Sequence, residues 1–373
     1  MQTRKISLEQ LKYAINLRDL SNPTDGHHAM QMVMDQILHA LKEAWWCELM
    51  TWRESPIVTV ADNYDRLNYP KDGASRNARY TRYVCDGALL RTQASAMVPN
   101  AMQSIANKMP DDVLIALPGL TYRRDCVDRI HSPEPHHLDL WRLKKGAPLD
   151  ENDLQQMITI WMDSLLPGVE WKTTESPHPY TQKGVQIDAL WNGEWIEVGE
   201  CGLAHPEIIV RNIPNENLSG LAMGLGLDRI LMVKKNIPDI RLLRSTDPRV
   251  ISQMNDLNEY VPVSSMPPVT RDLSIVLDYD TNDDDIGDIV RESLGDDAEI
   301  VELVQTLSQT PYDGLPEAAR ERLGIREDQK NILLRVVLRS YERTLTSEEC
   351  NIYRDKIYAA VHKGSVWQWI CQR

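Results

Sequence analysis

Met30, Val33, Met34, Ile37, Leu38, Leu41 and Trp45 recur at the spacing of one helix face. That spacing predicts a helix from about Asp25 to Trp45, with Thr24 and Asp25 as capping candidates. Short β-rich runs at Ile57 to Val60 and Val113 to Leu117 predict strands. The clearest local signal is IDALW-NG-EWIEV, two alternating runs joined by Asn192-Gly193. Asn and Gly tolerate the positive φ angles of a two-residue hairpin turn, so these runs predict a β-hairpin. Interleaved in this way, the elements predict an α+β fold with an antiparallel sheet flanked by helices.

The stretch Asn258 to Pro268, NEYVPVSSMPP, is rich in Pro and Ser and predicts a linker. It divides the chain into residues 1–257, a linker 258–268, and residues 269–373. In the last part a strand at Asp272 to Leu277 leads to a helix capped by Thr281 or Asn282 and stopped by Gly295. Strands near Ile300 to Leu307 and Asn331 to Leu338 follow. Thr346-x-x-Glu349 is a capping box for a helix ending near Gly364, and Val366 to Ile370 supplies a last strand. The order βαββαβ is the ferredoxin-like split motif.

At 373 residues with 42% apolar content, the chain can bury a large core. No apolar run approaches the ~18 residues that span a bilayer, and the opening MQTRKISLEQLKY lacks an apolar signal core. The six cysteines are scattered with no C-x-x-C spacing. Together these predict a soluble cytoplasmic protein with reduced thiols and no membrane partner. A net charge of −14 excludes simple coating of nucleic acid. Phe is absent although Trp (10) and Tyr (13) are common, so aromatic residues as such are not avoided. Average usage would put roughly a dozen or more Phe in a chain this long.

Three segments carry candidate chemistry. In LLRTQAS, an extended backbone would set Gln93 and Ser95 on one face, where both could grip a small polar group. In Pro118 to Leu143, a strand with Arg123 and Asp125 is expected to run into a polar loop holding His131, His136 and His137. Arginine suits phosphate because its planar fork donates two parallel bonds. The three histidines match no zinc spacing. In GLAMGLGLDRILM, glycines before a helix allow close backbone approach and place Arg229 in its first turns. Taken singly, these segments also fit surface polarity, a solvated basic strand and helix packing.

Taken in order, these residues resemble the catalytic α-type chain of phenylalanyl-tRNA synthetase, a class II synthetase, and especially its single-chain organellar form. The resemblance runs from NYDRL (63–67) through LLRTQAS, YRRD, the segment around His137 and Asp139, GEWIEVGECGLAHPEI and GLGLDRI to IPDIRLL (237–243). PPVTRDLSIVLD and YERTLTSEE resemble that family's ferredoxin-like anticodon-binding domain. The resemblance implies ATP, with Mg²⁺, as the nucleotide. It places Arg123 on the α-phosphate with Asp125 as the acidic partner position, His131 in the same ATP-binding segment, and Arg229 at the nucleotide's far end. Gln93 and Ser95 fall near the substrate amino group, and Glu197 is a candidate for holding Mg²⁺.

Departures from the family pattern fall in the amino-acid pocket. The usual F-H-Q-x-E is Pro135-His136-His137-Leu138-Asp139 here, F-P-F is His178-Pro179-Tyr180, and a G-x-G stretch is Glu200-Cys201-Gly202. The resemblance therefore implies His137, Asp139, His178, Tyr180 and Glu200 as substrate-binding residues, with phenylalanine or a polar analogue as the amino acid. Residues 271–373 hold 13 Lys and Arg against 21 Asp and Glu, a net of −8, which argues against a grip on tRNA. The alternatives are thus a synthetase that charges tRNA and a tRNA-independent ligase, acting as a monomer or a homodimer. A catalytically dead binding protein would have no reason to keep Arg123 and Arg229.

Overall fold

The computed structural model describes residues 5–78, 80–124, 128–214, 217–263, 266–340 and 342–367. The chain forms two compact units, one from Met1–Arg123, Glu134–Ile237 and Ile251–Tyr260, the other from Arg124–Pro133, Pro238–Val250 and Val261–Arg373.

The first unit is built on a seven-stranded sheet. The helices that bear on the site are α1 (Ala29–Trp45), α2 (Val98–Ile105), α3 (Glu151–Leu165), α4 (Pro206–Asn212) and α5 (Leu227–Lys235). Its strands are β1 (Glu48–Thr51), β2 (Asp112–Leu120), β3 (His136–Lys145), β4 (Trp171–Glu175), β5 (Thr181–Trp191), β6 (Glu194–Ala204) and β7 (Leu218–Gly226). They lie in the order β1-β2-β3-β7-β6-β5-β4, antiparallel throughout except for β1 against β2. Residues Val113 to Leu120 are buried on both faces, which explains why β2 reads as an unbroken apolar run and not as an alternation. The hairpin forms at Asn192 (φ 51°) and Gly193 (φ 84°), as its sequence requires.

Helix α1 buries Met30, Val33, Met34, Ile37, Leu38 and Leu41 and packs against α3 and α5. It begins later than the apolar spacing suggests. His28 caps it by accepting from the Met30 N–H, while Thr24 and Asp25 belong to a separate 3₁₀ turn opened by Asn22. Lys235, wholly buried at the end of α5, donates to the Asp256 carbonyl (2.8 Å), Asp256 Oδ1 (2.9 Å) and the Asn258 carbonyl (2.6 Å). Replacing Lys235 by Met strips these acceptors of their donor. The expected loss is about 2 kcal/mol or more of unfolding free energy in urea. A wild-type denaturation midpoint would show that the lysine is dispensable.

The second unit carries β8 (Val269–Asp278), α6 (Asp283–Leu294), β9 (Val301–Pro311), β10 (Gln329–Leu338) and α7 (Ser347–Val361). Its strands pair antiparallel in the order β8-β10-β9. Asn282 forms the capping box of α6, Gly295 ends that helix at φ 57°, and Thr346 and Glu349 form the capping box of α7. A helix at Glu317–Leu323, between β9 and β10, has no counterpart in the sequence reading. The last expected strand, Val366 to Ile370, runs beyond Trp367 and out of the described residues. Among those residues no helix is long and apolar enough to cross a membrane.

Candidate active site

Alternation along β3 sorts its side chains between two faces. His136 and Arg142 serve the helical side, where the Arg142 guanidinium stacks 4.1 Å from the Trp45 ring centroid. The buried His136 accepts from the Leu20 N–H at Nε2 (3.0 Å), which leaves Nδ1 to donate to Asp228 Oδ1 on α5 (3.1 Å). His137, Asp139 and Trp141 take the opposite face, where Trp141 packs into a cluster with Met97, Val98 and Ile208. The polar loop expected around His136 and His137 is therefore the start of a central strand. Its polar residues are accommodated by bonds from other elements.

Across this second face Asp139 pairs with Gly224 on β7, and Gly224 pairs with Glu200 on β6. Two carboxylates thus flank a residue without a side chain. A Cβ on Gly224 would lie 3.3 Å from Asp139 Oδ1, so the glycine keeps the floor between them open. Asp139 is 4% exposed and accepts a hydrogen bond from the Ser95 hydroxyl. Burial pushes its carboxyl up to about 7, against the opposing pull of Ser95 and Arg123. Ser95 reaches it from a 3₁₀ turn, Ala94–Met97, and not from an extended segment. Gln93 precedes that turn, where it accepts from the Tyr69 hydroxyl (2.6 Å) and donates to the Asn63 carbonyl (2.9 Å).

A wall of rings stands beside this floor. Tyr180 lies with its centroid 5.6 Å from His178, 6.2 Å from Tyr69 and 6.2 Å from Trp141. His178 Nε2 donates to Glu200 Oε2 (2.8 Å) and the Ser176 hydroxyl donates to Oε1 (3.2 Å). Burial alone would raise the Glu200 carboxyl. The bonds from His178 and Ser176 and the charge of Arg123 outweigh it and hold the group below its ordinary value.

Arg123 forms an isolated bridge with Thr81 in place of the expected strand. Its Nε donates to the Thr92 carbonyl (3.0 Å), and its terminal nitrogens have no hydrogen-bond partner among the described residues. Burial, followed by the charge of Arg123, pushes His137 down to about 3, so its ring is neutral at physiological pH. Arg229, on α5, donates from Nη1 to the Glu197 carbonyl (3.2 Å) and lies 3.5 Å from Glu197 Oε2. The arrangement offers cationic forks for an anion, an anchor for a small ammonium group, and a wall of rings beside it.

Residues 12–254 match the family described as tRNA synthetases class II core domain (F). The chain belongs to this class II tRNA synthetase family. Residues 264–365 match the ferredoxin-fold anticodon binding domain. The chain is 34% identical over 245 residues to the phenylalanine–tRNA ligase alpha subunit of Oenococcus oeni, covering 62% of this chain and 69% of that protein. Against the Clostridium botulinum alpha subunit it is 34% identical over 236 residues, 59% of this chain and 68% of the subunit. The chloroplastic and mitochondrial phenylalanine–tRNA ligase of Arabidopsis thaliana is 28% identical over 322 residues, 83% of this chain and 70% of that enzyme.

As a class II synthetase the protein is a ligase that uses ATP, with an amino acid and a tRNA as substrates. The case against tRNA drawn from the acidic residues 271–373 gives way to the anticodon-binding match, and the tRNA-independent alternative finds no support. Net charge averages over a whole surface, whereas a nucleic acid reads one face of it.

Of the residues singled out from the sequence, Gln93, Ser95, Arg123, His137, Asp139, His178, Tyr180, Glu197, Glu200 and Arg229 all belong to the first unit. His131 falls in the stretch that folds with the second unit, where its Nδ1 lies 2.8 Å from Asp128 Oδ2. Asp125 lies outside the described residues. Sequence reasoning missed Tyr69 and Trp141, although Trp141 stands two residues beyond Asp139 on the same strand. It also passed over Arg91 in LLRTQAS, a buried cation that donates to the carbonyls of Leu120 (2.7 Å) and Glu54 (3.1 Å) and ties the segment in place.

Proposed function

We propose that this synthetase activates an aromatic amino acid, phenylalanine or a polar analogue, and passes it to tRNA. The observation that carries the reading is Arg123, whose guanidinium is fixed through Nε, has no other hydrogen-bond partner among the described residues, and lies within electrostatic reach of the buried Asp139 beside a wall of rings. The substrate ammonium is held at Asp139, with Gln93, Ser95 and the neutral His137 around it. An oxygen of the amino-acid carboxylate attacks the α-phosphorus of ATP in line, and the bond to pyrophosphate breaks. Arg123 balances charge on the α-phosphate and Arg229 binds the nucleotide's far end. A ribose hydroxyl of tRNA then attacks the activated carbonyl carbon, and AMP leaves.

Glu197 fits Mg²⁺. Its carboxylate is 42% exposed, and Mg²⁺ accepts one protein carboxylate when phosphate oxygens and water complete its shell. Bound there, the ion would neutralise phosphate charge. The catalytic part corresponds to residues 1–257 and the tRNA-reading part to residues 269–373. One chain carrying both supports action as a monomer or homodimer. Cys47, Cys85, Cys201 and Cys350 are free thiols, which supports a reducing compartment such as the cytoplasm.

ATP–pyrophosphate exchange tests the reading, and pH gives it a signature. Ammonium binding needs Asp139 ionised, and burial sets its carboxyl at about 7. The amino-acid KM should therefore fall as pH rises to 7, by roughly tenfold per unit below it. An Asp139→Asn variant should raise KM and flatten the profile. A sloped profile in that variant would assign the titration to another group.

A further inference from the structure

We propose that Glu200 is the specificity-determining residue of the amino-acid recess, and that the preferred substrate is an aromatic amino acid bearing a ring hydroxyl. The inference rests on the amino-acid-activating reading above and names the substrate class of the same site.

Asp139 and Glu200 share one cross-strand row with Gly224 between them. Their backbones are therefore about 10 Å apart, two strand spacings. An amino acid whose ammonium sits at Asp139 lays its side chain over Gly224, against Tyr180, with the far end at Glu200. Aromatic rings beside a glycine floor fit a flat side chain. A purely apolar lining would complete a phenylalanine pocket, but here the far end holds a carboxylate.

Among the described residues that carboxylate has two hydrogen-bond donors. Ser176 donates to Oε1 and His178 to Oε2, whereas a carboxylate offers about four acceptor positions. The side chain is 34% exposed. Water can fill the remaining positions in the open recess, but a bound phenylalanine would replace that water with ring C–H groups, leaving them without donors. A ring hydroxyl donates to Glu200 at the same place.

A merely structural role for the His178–Glu200 pair would leave substrate preference untouched when Glu200 is changed. The test is ATP–pyrophosphate exchange with phenylalanine, 3-hydroxyphenylalanine and 4-hydroxyphenylalanine, using wild type, Glu200→Gln and Glu200→Gly. Thermal melts check that both variants fold, and the near-isosteric Gln variant serves if the Gly variant does not. In wild type, one hydroxylated substrate should exceed phenylalanine in kcat/KM by about 10²-fold or more. Each variant should shrink that ratio at least tenfold. Phenylalanine equalling or beating both hydroxylated substrates, or a ratio unchanged in a folded variant, would overturn the proposal. Exchange with phenylalanine alone leaves the activation reading standing. No exchange with any amino acid sinks that reading and this one with it.

Discussion

Alanine at Arg123 or at Arg229 lowers ATP–pyrophosphate exchange by about 10²-fold or more, the loss expected when one preorganised donor to developing charge is removed. The two variants should differ in kind. Arg123 is fixed through its Nε by the Thr92 carbonyl, so its terminal nitrogens are positioned before the nucleotide arrives. Its loss should fall mainly on kcat. Arg229 leans on Glu197 and lies near the start of α5. Its loss should weaken ATP binding as well and raise the ATP KM. Arg123→Lys keeps the charge but not the planar fork, and should recover only part of the rate. Wild-type exchange in folded Arg123→Ala and Arg229→Ala proteins would remove both residues from the reaction.

Synthesis of this protein should continue when phenylalanyl-tRNA runs short. A message without a Phe codon does not stall for want of that tRNA, and the chain has Phe 0. Packing does not explain the omission. Trp161 is fully buried, yet its indole N–H has no hydrogen-bond partner among the described residues, and the same holds for the N–H of Trp45. An orphaned buried donor costs about 1–3 kcal/mol, a cost that a phenyl ring does not carry. Other large aromatic residues are better housed. Tyr64 donates to the Ser75 carbonyl (2.7 Å) and Tyr122 to the Ala14 carbonyl (3.0 Å). We read the omission as selection against the residue itself. Inhibiting the host's phenylalanyl-tRNA supply while pulse-labelling should show this chain sustained as Phe-containing proteins of similar length decline severalfold. A parallel decline in both would refute the idea.

Legibility followed the range of the interaction. Helix α1 shows in the sequence because its buried face repeats within a few residues, although its first turn does not. The competing Asn22 cap and the His28 cap lie too close together for spacing to choose between them. Asn192-Gly193 and the capping boxes at Asn282 and Thr346 are legible because each signal is complete within four residues. β3 was misread at its start. His136 and His137 look like loop residues until Leu20 and Asp228 satisfy the first and burial neutralises the second.

By itself the sequence determined the α+β class, the ferredoxin-like order of the second unit, and which residue types were available for phosphate, ammonium and ring recognition. Tertiary structure alone decided which of them meet. Ser95 and Asp139 are 44 residues apart and touch only because a 3₁₀ turn is laid over β3. Asp139, Gly224 and Glu200 form one row only because β7 pairs with both β3 and β6 in a single register. A one-residue slip of either pairing would send one of the carboxylates to the opposite face. Local propensity cannot set such a register, because it arises from burying the apolar faces of three strands at once.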